Sequence, residues 1–144
     1  MRVWDAQTGT ERCTLQGHEG WVHSVAVSPD GKTIVSGSND NTMRVWDAQI
    51  GARLHALQGH EEAVRSVAVS PDGKTIVTGS HDNTVRVWNA QSGAPLRTLQ
   101  GHESRVHSVA VSPDGKTIVS GSWDNTVRVW DAQSGAPLRT LHGH

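Results

Sequence analysis

The sequence predicts an all-β protein: three complete four-stranded antiparallel sheets and half of a fourth, set as propeller blades in a ring that one chain leaves incomplete. Three observations carry this. The phrase MRVWDAQTG at Met1 returns as MRVWDAQIG from Met43, VRVWNAQSG from Val85 and VRVWDAQSG from Val127, each 42 residues after the last. Within a unit every apolar stretch is short, rich in Val, Ile and Thr, and fenced by Gly, Pro, Asn or Asp. Both faces of these stretches are partly apolar, so one sheet cannot bury itself and must stack on copies of itself. Stacked four-stranded sheets of this kind close radially into propellers of about four to eight blades.

Complete units run 18–59, 60–101 and 102–144, the last ending with Gly143-His144, the opening dipeptide of a further unit. Residues 1–17 form a partial blade that supplies only third and fourth strands. Met1 therefore occupies a position interior to a repeat, and the N-terminus reads as cut. Within the last unit, VHSVAVS (Val106 to Ser112) is the first strand, and SPDGK breaks it. Pro113 suits an early turn position, and Gly115 can take the positive φ that closes a hairpin. KTIVSGS (Lys116 to Ser122) is the second strand, followed by a tight turn at Asp124-Asn125. TVRVWDA (Thr126 to Ala132) is the third, QSG turns again, and PLRTL (Pro137 to Leu141) is a short fourth strand whose leading proline suits an edge. Alternation along VHSVAVS puts Val109 and Val111 on one face, with Val106 and Ala110 on the other. Gly37, Gly79 and Gly121 fall mid-strand, where a neighbouring sheet can approach closely.

Bulk properties narrow the function classes. The chain has 144 residues and a net charge of −1, with Lys and Arg dispersed along it. That argues against a dedicated nucleic-acid binder, Arg65 and Arg105 notwithstanding. Cys13 is the only cysteine, so no internal disulfide forms and nothing points to an oxidising compartment. No run approaches the roughly 20 apolar residues of a membrane span, and the first residues lack a signal-peptide pattern. A cytoplasmic protein without membrane contact or cofactor is expected.

The pairs Gly17-His18, Gly59-His60 and Gly101-His102, answered by Trp46-Asp47, Trp88-Asn89 and Trp130-Asp131, resemble the GH and WD signatures of the WD40 repeat family. The resemblance covers the whole chain; Asn89 in place of Asp and the small number of units are its departures. It implies a buried hydrogen-bonded set in each blade: His18, Ser36, Asp40 and Trp46; His60, Thr78, Asp82 and Trp88; His102, Ser120, Asp124 and Trp130. Asp would accept from the imidazole, His would bond the hydroxyl, and the hydroxyl would meet the indole N–H. Trp4 belongs to the same tryptophan column. His, Asp and Ser side by side also invite a hydrolase reading. A catalytic triad occurs once, in a pocket, whereas this set occurs three times, so no enzymatic activity is expected.

The internal copies agree on turns, strands and this set, and disagree sharply in four columns. These are Gly20, Glu62 and Ser104; Trp21, Ala63 and Arg105; His23, Arg65 and His107; and Asn39, His81 and Trp123. In a propeller these columns lie on one rim, the top face, which WD40 proteins commonly use for partner contacts. Near-identical repeats that diverge on such a surface resemble the amplified WD40 arrays of fungal immune-type receptors. Trp, Arg and His are favoured at binding hot spots, while other exposed positions such as Lys32, Lys74 and Lys116 do not vary. His23, His81 and His107 fall on different blades without close ligand spacing, so no metal site is expected. The first reading is a module that binds protein or peptide through the variable rim. The alternative is a truncated remnant or a fragment of a larger array with no separate activity. Three blades also leave apolar faces bare, which predicts a homo-oligomer closing the ring: a dimer with six complete blades, or a trimer with nine.

Overall fold

The structure, a computed structural model, describes residues 1–142; Gly143-His144 lies outside them. All fourteen regular elements are strands: β1 Arg2–Trp4, β2 Glu11–Thr14, β3 Val22–Val27, β4 Thr33–Ser38, β5 Met43–Asp47, β6 Arg53–Leu57, β7 Val64–Val69, β8 Thr75–Ser80, β9 Val85–Asn89, β10 Pro95–Leu99, β11 Val106–Val111, β12 Thr117–Ser122, β13 Thr126–Asp131 and β14 Pro137–His142. Strands β3–β6, β7–β10 and β11–β14 form three antiparallel sheets, each in chain order, and β1–β2 form a two-stranded one. Among the described residues no helix is long and apolar enough to cross a membrane.

Turn chemistry sets the strand ends. Asp114 Oδ1 accepts from the Ser112 hydroxyl at 2.6 Å and from the Lys116 N–H at 2.9 Å, while Gly115 takes φ +73°. At the other end of the hairpins Asn41, Asn83 and Asn125 adopt φ of 70°, 73° and 68°. Asn tolerates this left-handed region better than other side chains.

One expectation fails for a specific reason. Val106 does not face away from Val109: both are buried and lie close to Gly79, in one cluster with Val85 and Val87 of the preceding sheet. The register of β11 on β12 slips between Val106 and Ser108, a β-bulge that makes His107 the extra residue. The same slip occurs at Val22/Ser24 and Val64/Ser66. Strict alternation cannot survive a bulge, so the first valine of each inner strand returns to the side of the others.

The core lies between sheets. Met43, Val45 and Leu57 pack on Ile76 and Trp88, and Val85, Val87 and Leu99 pack on Ile118 and Trp130. The β1–β2 hairpin takes the corresponding place before the first sheet, with Met1, Val3, Cys13 and Leu15 against Ile34 and Trp46. Gly37 and Gly79 are where the next sheet's valines press in. A Cβ on Gly37 would stand 2.7 Å from Val64 Cγ1, and one on Gly79 2.7 Å from Val106 Cγ1.

The sheets are not closed into a ring. The hairpin covers only the outer half of the first sheet, so Val25 and Val27 stand 55% and 60% exposed where Val67 is buried. A groove of about 230 Å3, lined by Met1, Val3, Trp4, Val25, Val27 and Ile34, marks this bare face. At the far end Leu141 is exposed, whereas its counterpart Leu99 is buried.

Candidate functional site

The three hydrogen-bonded sets are present and nearly superposable in geometry. His18 Nδ1 lies 2.9 Å from Asp40 Oδ2, and its Nε2 lies 2.7 Å from Ser36 Oγ, which also accepts from Trp46 Nε1 at 2.9 Å. In the second sheet His60 meets Asp82 at 2.8 Å and Thr78 at 2.6 Å, with Trp88 at 2.9 Å from Thr78. In the third, His102 meets Asp124 at 2.8 Å and Ser120 at 2.7 Å, with Trp130 at 2.9 Å from Ser120. The carboxylate accepts from Nδ1–H, so Nε2 accepts the hydroxyl proton, and the hydroxyl oxygen takes the indole N–H. Every member is satisfied with a neutral imidazole.

Electrostatics agree with that assignment. Burial lowers the affinity of His18 and His102 for a second proton, and the carboxylates beside them only partly offset it. Burial by itself would raise the carboxyls of Asp40, Asp82 and Asp124. Hydrogen bonds outweigh it, from Thr42 and His18 on Asp40, from His60 and Thr84 on Asp82, and from Thr126 and His102 on Asp124. All three carboxyls stay far below the usual range. Ser36, Thr78 and Ser120 are completely or almost completely buried. Each hydroxyl is shut off from solvent and bridges the imidazole of one loop to the indole of the third strand, which ties the parts of its sheet together.

The variable columns meet at the end of the sheets opposite the SPDGK turns. The carbonyls of Trp21, Ala63 and Arg105 accept from the backbone N–H of Asn39, His81 and Trp123 at 2.8, 3.0 and 3.0 Å. Two of the four columns are thus locked side by side in every sheet. The column of His23, Arg65 and His107 is the bulged residue of each inner strand. A bulge frees its extra residue from the ladder, which allows that position to vary without disturbing the register. Gly20 sits against the Asn39-Asp40 backbone, and its column mates Glu62 and Ser104 offer their carbonyls to the Ser80 and Ser122 hydroxyls.

Side chains link these columns across sheets. His23 Nε2–H donates to Asn39 Oδ1 at 2.6 Å, and Arg65 Nη1 of the next sheet lies against the imidazole, 3.1 Å from each ring nitrogen. The His81 ring lies 5.8 Å from the Trp123 ring, and the Arg105 guanidinium sits over the same indole at 5.3 Å. Trp21 and Trp123 are 77% and 56% exposed. His107 stands exposed and makes no side-chain hydrogen bond among the described residues. No group of three or more His, Cys, Asp or Glu side chains among the described residues could hold a metal.

Two features escape the sequence. Trp4 is 53% exposed, because its hairpin lacks the strands that would carry a hydroxyl and a histidine to it. Arg44, Arg86 and Arg128 alternate with the core valines of β5, β9 and β13, yet each keeps its Nε buried without a partner. Their guanidinium ends lie against Gly17, Gly59 and Gly101, where a Cβ would stand 2.4–2.9 Å from Nη1. The recurrence of Gly before each framework His is the signal that could have exposed this packing.

Comparison with known proteins finds the same 42-residue period in a different phase, each match joining the outer strand of one sheet to the first three strands of the next. The family model for the WD domain, G-beta repeat, matches residues 9–47, 51–89 and 93–131. Nuclear distribution protein PAC1 of Arthroderma benhamiae is 48% identical over 42 residues, 29% of this chain and 9% of that protein. Coronin-7 of Mus musculus is 50% identical over 40 residues, covering 28% and 4%. Guanine nucleotide-binding protein subunit beta-5b of Danio rerio is 51% identical over 43 residues, covering 30% and 11%. Among solved structures, that of U3-55K superposes with a TM-score of 0.88 at 31% identity, over 90% of this chain and 42% of that one. The WD40 repeats of RRP9 give the same TM-score and identity over 90% and 41%. The chain thus spans less than half of these solved chains, and each sequence match spans about one repeat.

Proposed function

Because this chain belongs to the WD40 repeat family, whose domains generally bind proteins or peptides, we propose that it is a non-enzymatic interaction module that takes a protein or peptide on its variable rim. One observation carries the proposal: the columns in which near-identical repeats differ most sharply lie together at one end of the sheets, where side chains link them across each boundary. The chain Asn39–His23–Arg65 spans the first two sheets, and His81–Trp123–Arg105 spans the second and third. Columns on the outer strands change in one copy only, as at Arg53, Pro95 and Pro137, whereas three of the four rim columns hold a different residue in every copy, and Lys32, Lys74 and Lys116 at the opposite end are unchanged. The test is partner capture by Trp123→Ala and Arg65→Ala beside Lys74→Ala. Loss in the two rim variants alone supports the rim, and loss in Lys74→Ala alone moves the site to the other face.

We also propose that copies associate through the bare faces, β3 of one copy meeting the β11–β14 sheet of another, in the cytoplasm where Cys13 stays reduced. The residues exposed on those two faces are the ones that mate at both internal boundaries. For a complete blade to seat on β3, the β1–β2 hairpin has to leave Ile34 and Trp46. The other reading, a section of a larger array without separate activity, draws on the same bare faces and predicts that they stay monomeric in solution.

A further inference from the structure

We propose that the rim holds a lone carboxylate, the side chain of an aspartate or glutamate in a peptide whose neighbouring residues are basic; the inference rests on the rim being the binding face. Arg65 and Arg105 supply the donors. Among the described residues neither guanidinium lies within ion-pair distance of an acid. Each is held instead by a ring: Arg65 Nη1 lies 3.1 Å from His23 Nδ1, and Arg105 Cζ lies 5.3 Å from the centre of the Trp123 indole. An arginine steadied by ring contacts has lost much of its freedom before a ligand arrives. Its remaining N–H edge is shaped for a carboxylate.

The His81 ring lies 5.8 Å from the Trp123 ring that Arg105 covers, and the charges of both guanidiniums bear on it. Its Nε2 is closed off from water and has no partner. A buried ring nitrogen left unsatisfied costs free energy. In the tautomer that carries its proton on Nε2, the ring offers a donor that a carboxylate oxygen would satisfy.

The surroundings select the class of ligand. Glu61, Glu62 and Glu103 line a cleft of about 300 Å3 beside this cluster, together with Ser104 and Arg105. A nucleic-acid strand carries a phosphate at every nucleotide and would press some of them against these glutamates. A peptide with one acid flanked by Lys or Arg meets the arginines and the glutamates together.

The test is selection from a random-peptide phage library on the immobilised protein, with each selected peptide then titrated against wild type, Trp123→Ala and Arg65→Gln/Arg105→Gln. Urea unfolding of each variant confirms that it is folded. The expected peptides share an acid beside a base. They should weaken about tenfold or more when that acid becomes an amide or when the arginines are replaced. Peptides that need Trp123 but carry no required acid would overturn the carboxylate while leaving the rim in place. Absence of any Trp123-dependent peptide would overturn the rim reading and the inference with it. Tighter, arginine-dependent capture of a single-stranded oligonucleotide would overturn the choice of ligand class.

Discussion

Ser24 Oγ accepts a hydrogen bond from the backbone N–H of Val67 at 3.2 Å, across the boundary between the first two sheets. Ser66 does the same for Val109 at 3.1 Å. An inner strand is the edge of its own sheet and presents N–H groups with no ladder partner. A hydroxyl from the neighbouring sheet satisfies one of them, so the boundary is polar at its inner margin and apolar behind it. Ser108, the third member of this column, is exposed, and Val25 has no serine in front of it in this chain.

That asymmetry separates folding from association. Gly79→Ala places a methyl 2.7 Å from Val106 Cγ1 and 2.9 Å from Val109 Cγ1, and overpacking of this kind costs about 1–3 kcal/mol. Gly121→Ala meets nothing nearer than His107 Cε1 at 3.5 Å, and its denaturant midpoint should match wild type. If copies meet across the β11–β14 face, however, the same methyl obstructs the incoming valines. Light scattering over a concentration series should then show wild type associating and Gly121→Ala remaining monomeric. Association that is absent in wild type, or untouched by Gly121→Ala, removes the ring-closing proposal.

The hydroxyl of the braced set is the next test. Thr78→Val keeps the shape but strands Trp88 Nε1 and His60 Nε2, which now bond Thr78 Oγ1 at 2.9 and 2.6 Å. Leaving buried groups unpaired costs about 1–3 kcal/mol each. Thr78→Ser restores the hydroxyl that Ser36 and Ser120 already supply and should lose under about 1 kcal/mol. Urea unfolding of the pair measures the difference. Equal destabilisation by Val and Ser would mean that the methyl, rather than the hydrogen bonds, matters at this site.

Much of this architecture is legible in the residues. Gly115 at φ +73° and Asn125 at φ 68° sit where SPDGK and the Asp-Asn pair announce turns, and the repeat length fixes which strands share a sheet. The face of Val106 is not legible, because period-2 alternation has no sign for a bulge, and the bulged residue itself varies among His23, Arg65 and His107. The rim columns can be picked out by comparing copies. Their contact cannot: Trp21 and Asn39 are joined through a backbone hydrogen bond at 2.8 Å that no side-chain pattern encodes. The exposure of Trp4 follows from what its hairpin lacks, which composition does not reveal.

Acid should loosen the fold in two steps. The folded chain holds His18 and His102 toward the neutral form, chiefly through burial. Both therefore bind a proton more readily once unfolded, and stability falls as pH drops from about 6.5. Asp40, Asp82 and Asp124 are held ionised by their hydrogen bonds against the opposing effect of burial. Their contribution is present above the ordinary carboxyl value and disappears as pH falls below about 4. Urea midpoints between about pH 8 and pH 3 should decline first over the histidine range and again over the carboxyl range. A midpoint that stays flat from about pH 7.5 to pH 5 contradicts the histidine assignment.

Two tryptophans in the third sheet divide stability from binding. Trp130 is 1% exposed, packs on Val85 and Val87 of the preceding sheet, and donates its indole N–H to Ser120. Trp130→Ala removes that body and opens the braced set, at a cost of about 3–5 kcal/mol, a large share of a small domain's stability. Trp123 touches the His81 ring and lies under Arg105, both rim residues themselves. An exposed cation–π contact is worth about 0.5–1 kcal/mol, so Trp123→Ala should lower the melting temperature only slightly. Its effect belongs in binding, where loss of an aromatic anchor costs about 2 kcal/mol or more. Thermal melts of both variants, followed by titration of a rim-selected peptide into Trp123→Ala, measure the two effects separately. A Trp123→Ala protein that melts as early as Trp130→Ala would show the rim indole to be part of the frame. One that melts normally and binds at full strength would place the partner elsewhere on the molecule.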